Sequence, residues 1–156
     1  MIIEKARRQD AKNLTELTLR SKSYWDYGKE QIEEWREELT ITENHIDANQ
    51  VHKLIKDDFL IGFYSYRPEN QTDIKLDYLF VEPNYIGKGY GKILMTDFLK
   101  RIENSGFKRV ILDADPHAEK FYTGRGFRVI GKLESSIKNR FLPIMELKIK
   151  PVFSNG

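Results

Sequence analysis

The sequence predicts an α+β fold around one mixed sheet, and three observations carry that reading. Val51 to Lys56, Phe59 to Arg67 and Asp73 to Val81 read as strands, the last in alternation, separated by turn residues at Asp57-Asp58 and Pro68-Glu69-Asn70-Gln71, as three strands of a meander would be. A glycine-rich turn, Gly87-Lys88-Gly89-Tyr90-Gly91, then opens an amphipathic run with helical spacing. Beyond it, short apolar segments flank a second helical segment and lead to two closing strands. The 156 residues fit a single domain, 1–156, with enough chain for a real core.

Taken in order, Ile2 to Lys5 is a short strand. Gln9-Asp10 caps a helix whose Leu14 and Leu17 face inward. An aromatic turn follows at Ser23-Tyr24-Trp25-Asp26-Tyr27-Gly28. A second helix places Ile32, Trp35 and Leu39 at i, i+3 and i+7 on one face. Val51 to Lys56, Phe59 to Arg67 and Asp73 to Val81 are the meander strands. The helix after the glycines runs through Asn104, with Ile93, Leu94, Phe98, Leu99 and Ile102 as its buried stripe and Gly106 as its stop. Val110-Ile111-Leu112 is wholly apolar, as a central strand is. A helix from about His117 to Arg125 precedes the strands Phe127 to Leu133 and Ile144 to Ile149. The order is β-α-α-β-β-β-α-β-α-β-β, with a mostly antiparallel central sheet flanked by helices.

Composition removes several classes of function. The formal net charge is only +2, and basic residues mix with acidic ones, so no basic stripe speaks for nucleic acid. No apolar run is long enough to span a membrane, and Met1 to Arg8 holds no signal-peptide core. There is no cysteine, which excludes disulfides and thiolate chemistry and points to the cytoplasm. His45, His52 and His117 are scattered without zinc-site spacing, so no metal is expected.

Glycines before a helix suit a phosphate cradle, since they admit positive φ and the helix start presents unpaired N–H groups. Two nucleotide motifs fail on residue type. A P-loop would need glycine at Ile86 and a hydroxyl at Ile93. A dinucleotide fingerprint would need glycine at Lys92, and it would follow a βαβ unit rather than a meander.

The chain resembles the GNAT superfamily of N-acetyltransferases. That family's loop reads Gln/Arg-x-x-Gly-x-Gly/Ala after a central strand, and Gly89-Tyr90-Gly91 supplies its Gly-x-Gly, with Ile86 at the Gln/Arg position. Ala118-Glu119-Lys120-Phe121-Tyr122-Thr123-Gly124-Arg125-Gly126-Phe127 is similar to the family's Ala-x-x-Phe-Tyr-x-x-x-Gly-Phe signature. Asp115 stands where the family often has asparagine, seven residues before Tyr122.

The resemblance implies a transferase that moves acetyl from acetyl-CoA to a primary amine. By it, Gly87, Lys88, Gly89, Tyr90, Gly91 and Lys92 bind the pyrophosphate, the backbone of Leu79, Phe80 and Val81 pairs with the pantetheine arm, and Asp115 meets that arm. Tyr122 is the matching acid for the departing thiolate, and Asp77, two residues before Leu79 on the same strand face, is the chosen base, with a bound water as the other option. Tyr24, Trp25 and Tyr27 fall where the family walls its acceptor site, and Arg140 is a candidate for an acceptor carboxylate. Without cysteine, transfer is direct, in a ternary complex. The rival expectation is a non-catalytic acyl-CoA sensor. Dimers are common in the family, so a homodimer stays open.

Overall fold

A computed structural model describes residues 1–135, 137 and 140–150. Its elements are β1 (Ile2–Lys5), α1 (Ala11–Ser23), α2 (Lys29–Glu34), α3 (Glu43–Ala48), β2 (Gln50–Lys56), β3 (Phe59–Pro68), β4 (Asp73–Val81), α4 (Tyr90–Ile102), β5 (Arg109–Asp113), α5 (Glu119–Gly124), β6 (Arg128–Glu134) and β7 (Phe141–Lys148). The seven strands form one sheet in the order β1-β2-β3-β4-β5-β7-β6. Where pairing partners are defined it is antiparallel except for β4 against β5, so the sheet is mixed and mostly antiparallel as expected. The chain divides into two compact units, one of residues 1–66 and 78–98, the other of residues 67–77 and 99 onward.

In the first unit β1 and β2 pair from Ile2↔Ile55 to Lys5↔His52, and β2 turns back on β3 from Lys56↔Phe59 to Gln50↔Tyr66. The turn between them holds Asp57 and Asp58 at φ of 50° and 65°. Two positive φ values make a primed hairpin turn, whose twist matches the strands, and aspartate tolerates that conformation better than most side chains. The core gathers Ala6, Leu14, Leu17, Ile41, Ile46, Val51 and Phe63, with Tyr78 and Phe80 of β4 packed against it. Gly62 admits no side chain, because a Cβ there would lie 2.6 Å from the carbonyl oxygen of Phe80.

Three expectations for the helices change. Asp10 precedes α1 but makes no side-chain cap bond. Its carboxylate accepts instead from the Arg7 amide at 2.7 Å and from Lys53 of β2 at 2.9 Å. Asp10 thus closes the capping box of the 3₁₀ turn Arg8–Asp10 that runs into α1, so the helical segment starts one turn earlier than expected. The second expected helix is shorter than its apolar spacing suggests, and a third helix, α3, follows it where none was expected. Ile32, Trp35 and Leu39 are all buried as their spacing demands, yet α2 ends at Glu34 and the next five residues are turns. Thr40, Ile41 and Thr42 lie outside any helix, with Thr42 extended; Thr15 brackets the Ile41 backbone through both its N–H and its C=O, and Thr42 caps α3 through the His45 amide. Along α4 the buried residues are Leu94, Met95, Phe98 and Ile102; Ile93 and Leu99 are only half-buried, so Met95 replaces part of the expected stripe.

In the second unit β5 pairs parallel with β4 over Asp73↔Arg109, Ile74↔Val110 and Lys75↔Ile111, and antiparallel with β7 from Arg109↔Lys148 to Asp113↔Ile144. Charge is threaded across these strands. Arg109 donates to both oxygens of Asp73 at 2.9 and 3.0 Å and to Glu146 at 3.0 Å, and Arg128 of β6 closes on the other Glu146 oxygen at 2.7 Å. Both carboxylates are buried. Arg109, aided by Asn70 and Thr72, holds the Asp73 carboxyl at about 2, below its usual 3.8. Glu146 is lowered likewise by its two arginines.

Replacing Arg109 with methionine keeps the packing stem and strands two buried carboxylates. We expect a loss of about 2–3 kcal/mol in urea melts, at or below the range for a fully buried pair because Arg109 is itself partly exposed. A depressed carboxyl stabilises the fold above its unfolded pKa and loses that contribution as pH falls through its folded value. The wild-type urea midpoint should therefore drop between pH 4 and pH 2 more steeply than that of R109M; parallel curves would show that the Asp73–Arg109 pair is not the source.

Candidate active site

The glycine turn is held firmly at its entrance. The Glu82 amide donates to the Ile61 carbonyl at 2.8 Å, and Arg20 of α1 grips both Glu82 oxygens at 2.7 and 2.9 Å. A 3₁₀ turn, Pro83–Tyr85, follows, with the Ile86 amide returning to the Pro83 carbonyl. Gly87 and Gly89 then adopt φ of 82° and 91°, and nothing lies within 4 Å of where a Cβ would stand on either. These glycines are thus set by backbone conformation and not by crowding. The Gly89 carbonyl accepts from the Ile93 amide, which makes it the first acceptor of α4. The N–H groups of the first helical turn have no acceptor within the helix, and they lie at the positive end of its dipole. Gly87, Lys88, Gly89 and Lys92 are exposed; Tyr90 and Gly91 are half-buried.

Aromatic rings surround this turn. Tyr85 meets Tyr90 edge-on at 5.5 Å, and the Lys88 ammonium lies 5.7 Å from the Tyr85 ring centre. Lys56, at the end of β2, donates to the Tyr90 hydroxyl at 2.8 Å. Neither Lys56 nor Tyr85 was expected at the site. The sequence signal for Lys56 is only its place before the Asp57-Asp58 turn.

On β4, Val81 is buried and Leu79 and Phe80 half-buried, with Phe80 6.2 Å from the Phe63 ring. The parallel ladder with β5 is confined to three residue pairs ending at Lys75, and β4 continues for six residues to Val81. In the same unit as the loop, Tyr24 is exposed and edge-on to Trp25 at 4.8 Å, whereas Tyr27 leans on buried Trp35 at 4.8 Å. The Lys22 ammonium lies over both Tyr27 and Trp35.

The second unit carries the remaining expected residues. Tyr122 on α5 is buried, edge-on to Phe121 at 5.3 Å and to Phe127 at 5.6 Å. Burial, and then the negative charge of Asp115, push its phenol far above the ordinary value. Among the described residues the Tyr122 hydroxyl has no hydrogen-bond partner. Asp115 caps the turn Pro116–Ala118: it accepts from the His117 amide and ring nitrogen, both at 2.9 Å, and from Arg140 at 3.2 Å. Arg140 is largely buried and also donates to Ser135 at 2.9 Å. The structure thus brings Asp115 and Arg140 together, both committed to each other. Asp77 is ion-paired to Arg67 at 3.0 Å, and Arg67 also holds Glu69 at 2.7 Å. Among the described residues no group of three or more His, Cys, Asp or Glu side chains converges as a metal site, and no helix is long and apolar enough to cross a membrane.

Comparison with known proteins places this geometry in context. The family model described as an acetyltransferase (GNAT) domain matches residues 23–149. An uncharacterized N-acetyltransferase ycf52 from Gracilaria tenuistipitata var. liui is 27% identical over 89 residues, 57% of this chain and 49% of that protein. The match thus spans about half the length of that curated relative. Among solved structures, the PaiA N-acetyltransferase of Thermoplasma acidophilum in complex with coenzyme A superposes with a TM-score of 0.79 at 24% identity, covering 94% of this chain and 98% of that one. An aminoglycoside 6'-N-acetyltransferase complexed with coenzyme A gives 0.72 at 21% identity, covering 99% and 100%. At such identities the structural likeness establishes the fold.

The left-handed glycines yield a stability test. Gly89→Ala finds open space but an unfavourable φ, and should destabilise by about 1–2 kcal/mol. Gly124→Ala sits at a helical position with open space and should stabilise by about 0.5 kcal/mol. Urea midpoints of the two variants moving in the same direction would contradict the conformational account.

Proposed function

The chain belongs to the GNAT acetyltransferase family, and on that premise we propose that residues 1–156 act as one domain that passes an acetyl group from acetyl-CoA to a primary amine. The observation that carries the reading is the glycine turn, with two left-handed residues delivering the chain from β4 into the first turn of α4. A row of undirected N–H groups, no side chain above Gly87 and Gly89, and the cations Lys88 and Lys92 fit a diphosphate. Acetyl-CoA supplies an activated thioester carbonyl. The backbone of Leu79, Phe80 and Val81 is assigned to the amides of the pantetheine arm, since the β4–β5 ladder ends well before these residues.

Tyr122 is assigned as the proton donor to sulfur. Its burial keeps the phenol protonated across the physiological range, and its hydroxyl has no competing partner among the described residues. An alkyl ammonium must first lose a proton, at a cost of about 4 kcal/mol at pH 7. Asp77 is the assigned acceptor of that proton, directly or through water, with Arg67 fixing its carboxylate. Tyr24, Trp25 and Tyr27 are assigned to the acceptor side. Arg140 serves there indirectly, by holding Asp115 and with it the turn before α5. We place the protein in the cytoplasm on its lack of cysteine, and a homodimer agrees with the family habit.

A sensor without catalysis is the second reading. It is favoured by Ile86 at the usual polar lead position of the loop and by an Asp115 carboxylate already engaged by His117 and Arg140.

Free-thiol release from acetyl-CoA across a panel of amines separates the two. Release with any amine supports the transferase; binding of CoA with no release from any amine supports the sensor. Tyr122→Phe should lower kcat by about a hundredfold while leaving the Kd for CoA within about twofold. Unchanged turnover would remove Tyr122 as the acid. Asp77→Asn should depress kcat most at low pH and be partly compensated as pH rises and the free amine accumulates; a pH-independent loss would point to a structural role for the Asp77–Arg67 pair.

A further inference from the structure

We propose that Lys56, Lys88, Tyr85 and Tyr90 form a second phosphate subsite beside the glycine turn, one that takes the ribose 3′-phosphate of the acetyl donor. The inference rests on the acetyl-CoA reading and adds to it a named recognition element from outside the loop.

The four side chains are joined in a row. Lys56 donates to the Tyr90 hydroxyl at 2.8 Å and its ammonium lies 5.5 Å from that ring centre; Tyr90 meets Tyr85 edge-on at 5.5 Å; Lys88 lies 5.7 Å from the Tyr85 ring centre. What distinguishes the row is how its cations are held. Lys53, three residues earlier on the same strand, is neutralised by Glu4 and Asp10, and Lys75 by Asp113. Among the described residues neither Lys56 nor Lys88 has an ion pair with a carboxylate. Asp57 acts on Lys56 only through its field, and the remaining titratable neighbours are the two tyrosines. Aromatic faces and a phenol oxygen therefore position both ammonium groups while leaving their charge uncompensated.

That arrangement matches a phosphate monoester. Such a group carries close to two negative charges at neutral pH and three strong acceptor oxygens. Lys56 spends one of its donors on Tyr90 and keeps two. Because the Tyr90 oxygen accepts from Lys56, its own O–H remains to donate outward. The loop amides suit the diphosphate, so a third phosphate needs donors of a different kind. Side-chain ammonium groups next to the turn supply them. Rings that hold these groups before binding also lower the entropy lost on binding.

Calorimetric titration with CoA and with 3′-dephospho-CoA, at low and moderate salt, tests this. The wild type should bind CoA about tenfold more tightly than the dephospho form, as expected for one or two charge-assisted contacts at an exposed site. Lys56→Met should bring CoA close to the dephospho level while changing dephospho-CoA affinity less than about twofold. Lys88→Met, whose ammonium also faces the diphosphate in the proposed function, should weaken both ligands but CoA the more, and Tyr90→Phe, which keeps the ring, should cause a smaller loss of the preference for CoA. The preference for CoA should shrink as salt is raised. Equal weakening of both ligands in K56M would overturn the proposal, because the lysine would then serve the diphosphate or the loop's shape. A wild type that binds both ligands equally would overturn it as well. A wild type that binds neither would instead remove the acetyl-CoA reading on which it rests.

Discussion

The glycine turn can offer its amides only because the backbone before it is pinned at Glu82. That residue is fixed twice, by its own N–H on the Ile61 carbonyl and by its side chain in the fork of Arg20. The first bond ends β4 at a set height beside β3. The second ties the same point to α1, whose Leu14 and Leu17 are seated in the core. A planar guanidinium meeting a carboxylate with two parallel bonds fixes direction as well as distance. Without that anchor two left-handed glycines would be a hinge. With it they become a rigid curve, and the dipole of α4 points along a defined line. The pair is too exposed to weigh heavily as stability, so its value lies in orientation.

Most of the architecture was legible because it rests on period and punctuation. Strand-like runs bounded by turn residues located β2 and β3, alternation located β4, and the glycines located the start of α4. The break between α2 and α3 was not legible, although its apolar spacing was. Burial of Ile32, Trp35 and Leu39 requires only that they return to one side, and turns achieve that as well as a helix does. Thr42 lacks the glutamate three residues on that would have marked a capping box; His45 stands there instead. Met95 was passed over for Ile93 because a one-residue rotation of a helix exchanges neighbours on the rim of the stripe.

The candidate site was legible where backbone decides and illegible where side chains choose partners. Gly87 and Gly89 take the positive φ that glycine admits most readily, whereas Gly91 of the Gly-x-Gly lies inside α4. Asp115, Arg140 and Asp77 are charged groups whose roles depend on which opposite charge folds next to them. The sequence could not show that Arg140 turns inward to Asp115, nor that Arg67 reaches Asp77 across a turn of the meander. The place of Lys56 is illegible for the same reason, since its partner Tyr90 is 34 residues away.

The second unit treats its buried polar groups in two opposite ways, and the contrast bears on chemistry. Asp73 and Glu146 are buried among arginines and kept ionised, so they are inert to proton transfer near neutral pH. Tyr122 is buried among aromatic rings with a carboxylate in its field and is kept neutral. A phenol so placed is a poor base, because nothing on its own element stabilises the phenolate. It remains a hydrogen-bond donor, and negative charge developing beside it is what would draw on that proton. On the proposed reading, proton removal from the acceptor amine falls to a group whose neighbourhood stabilises negative charge, and Asp77 beside Arg67 is such a group.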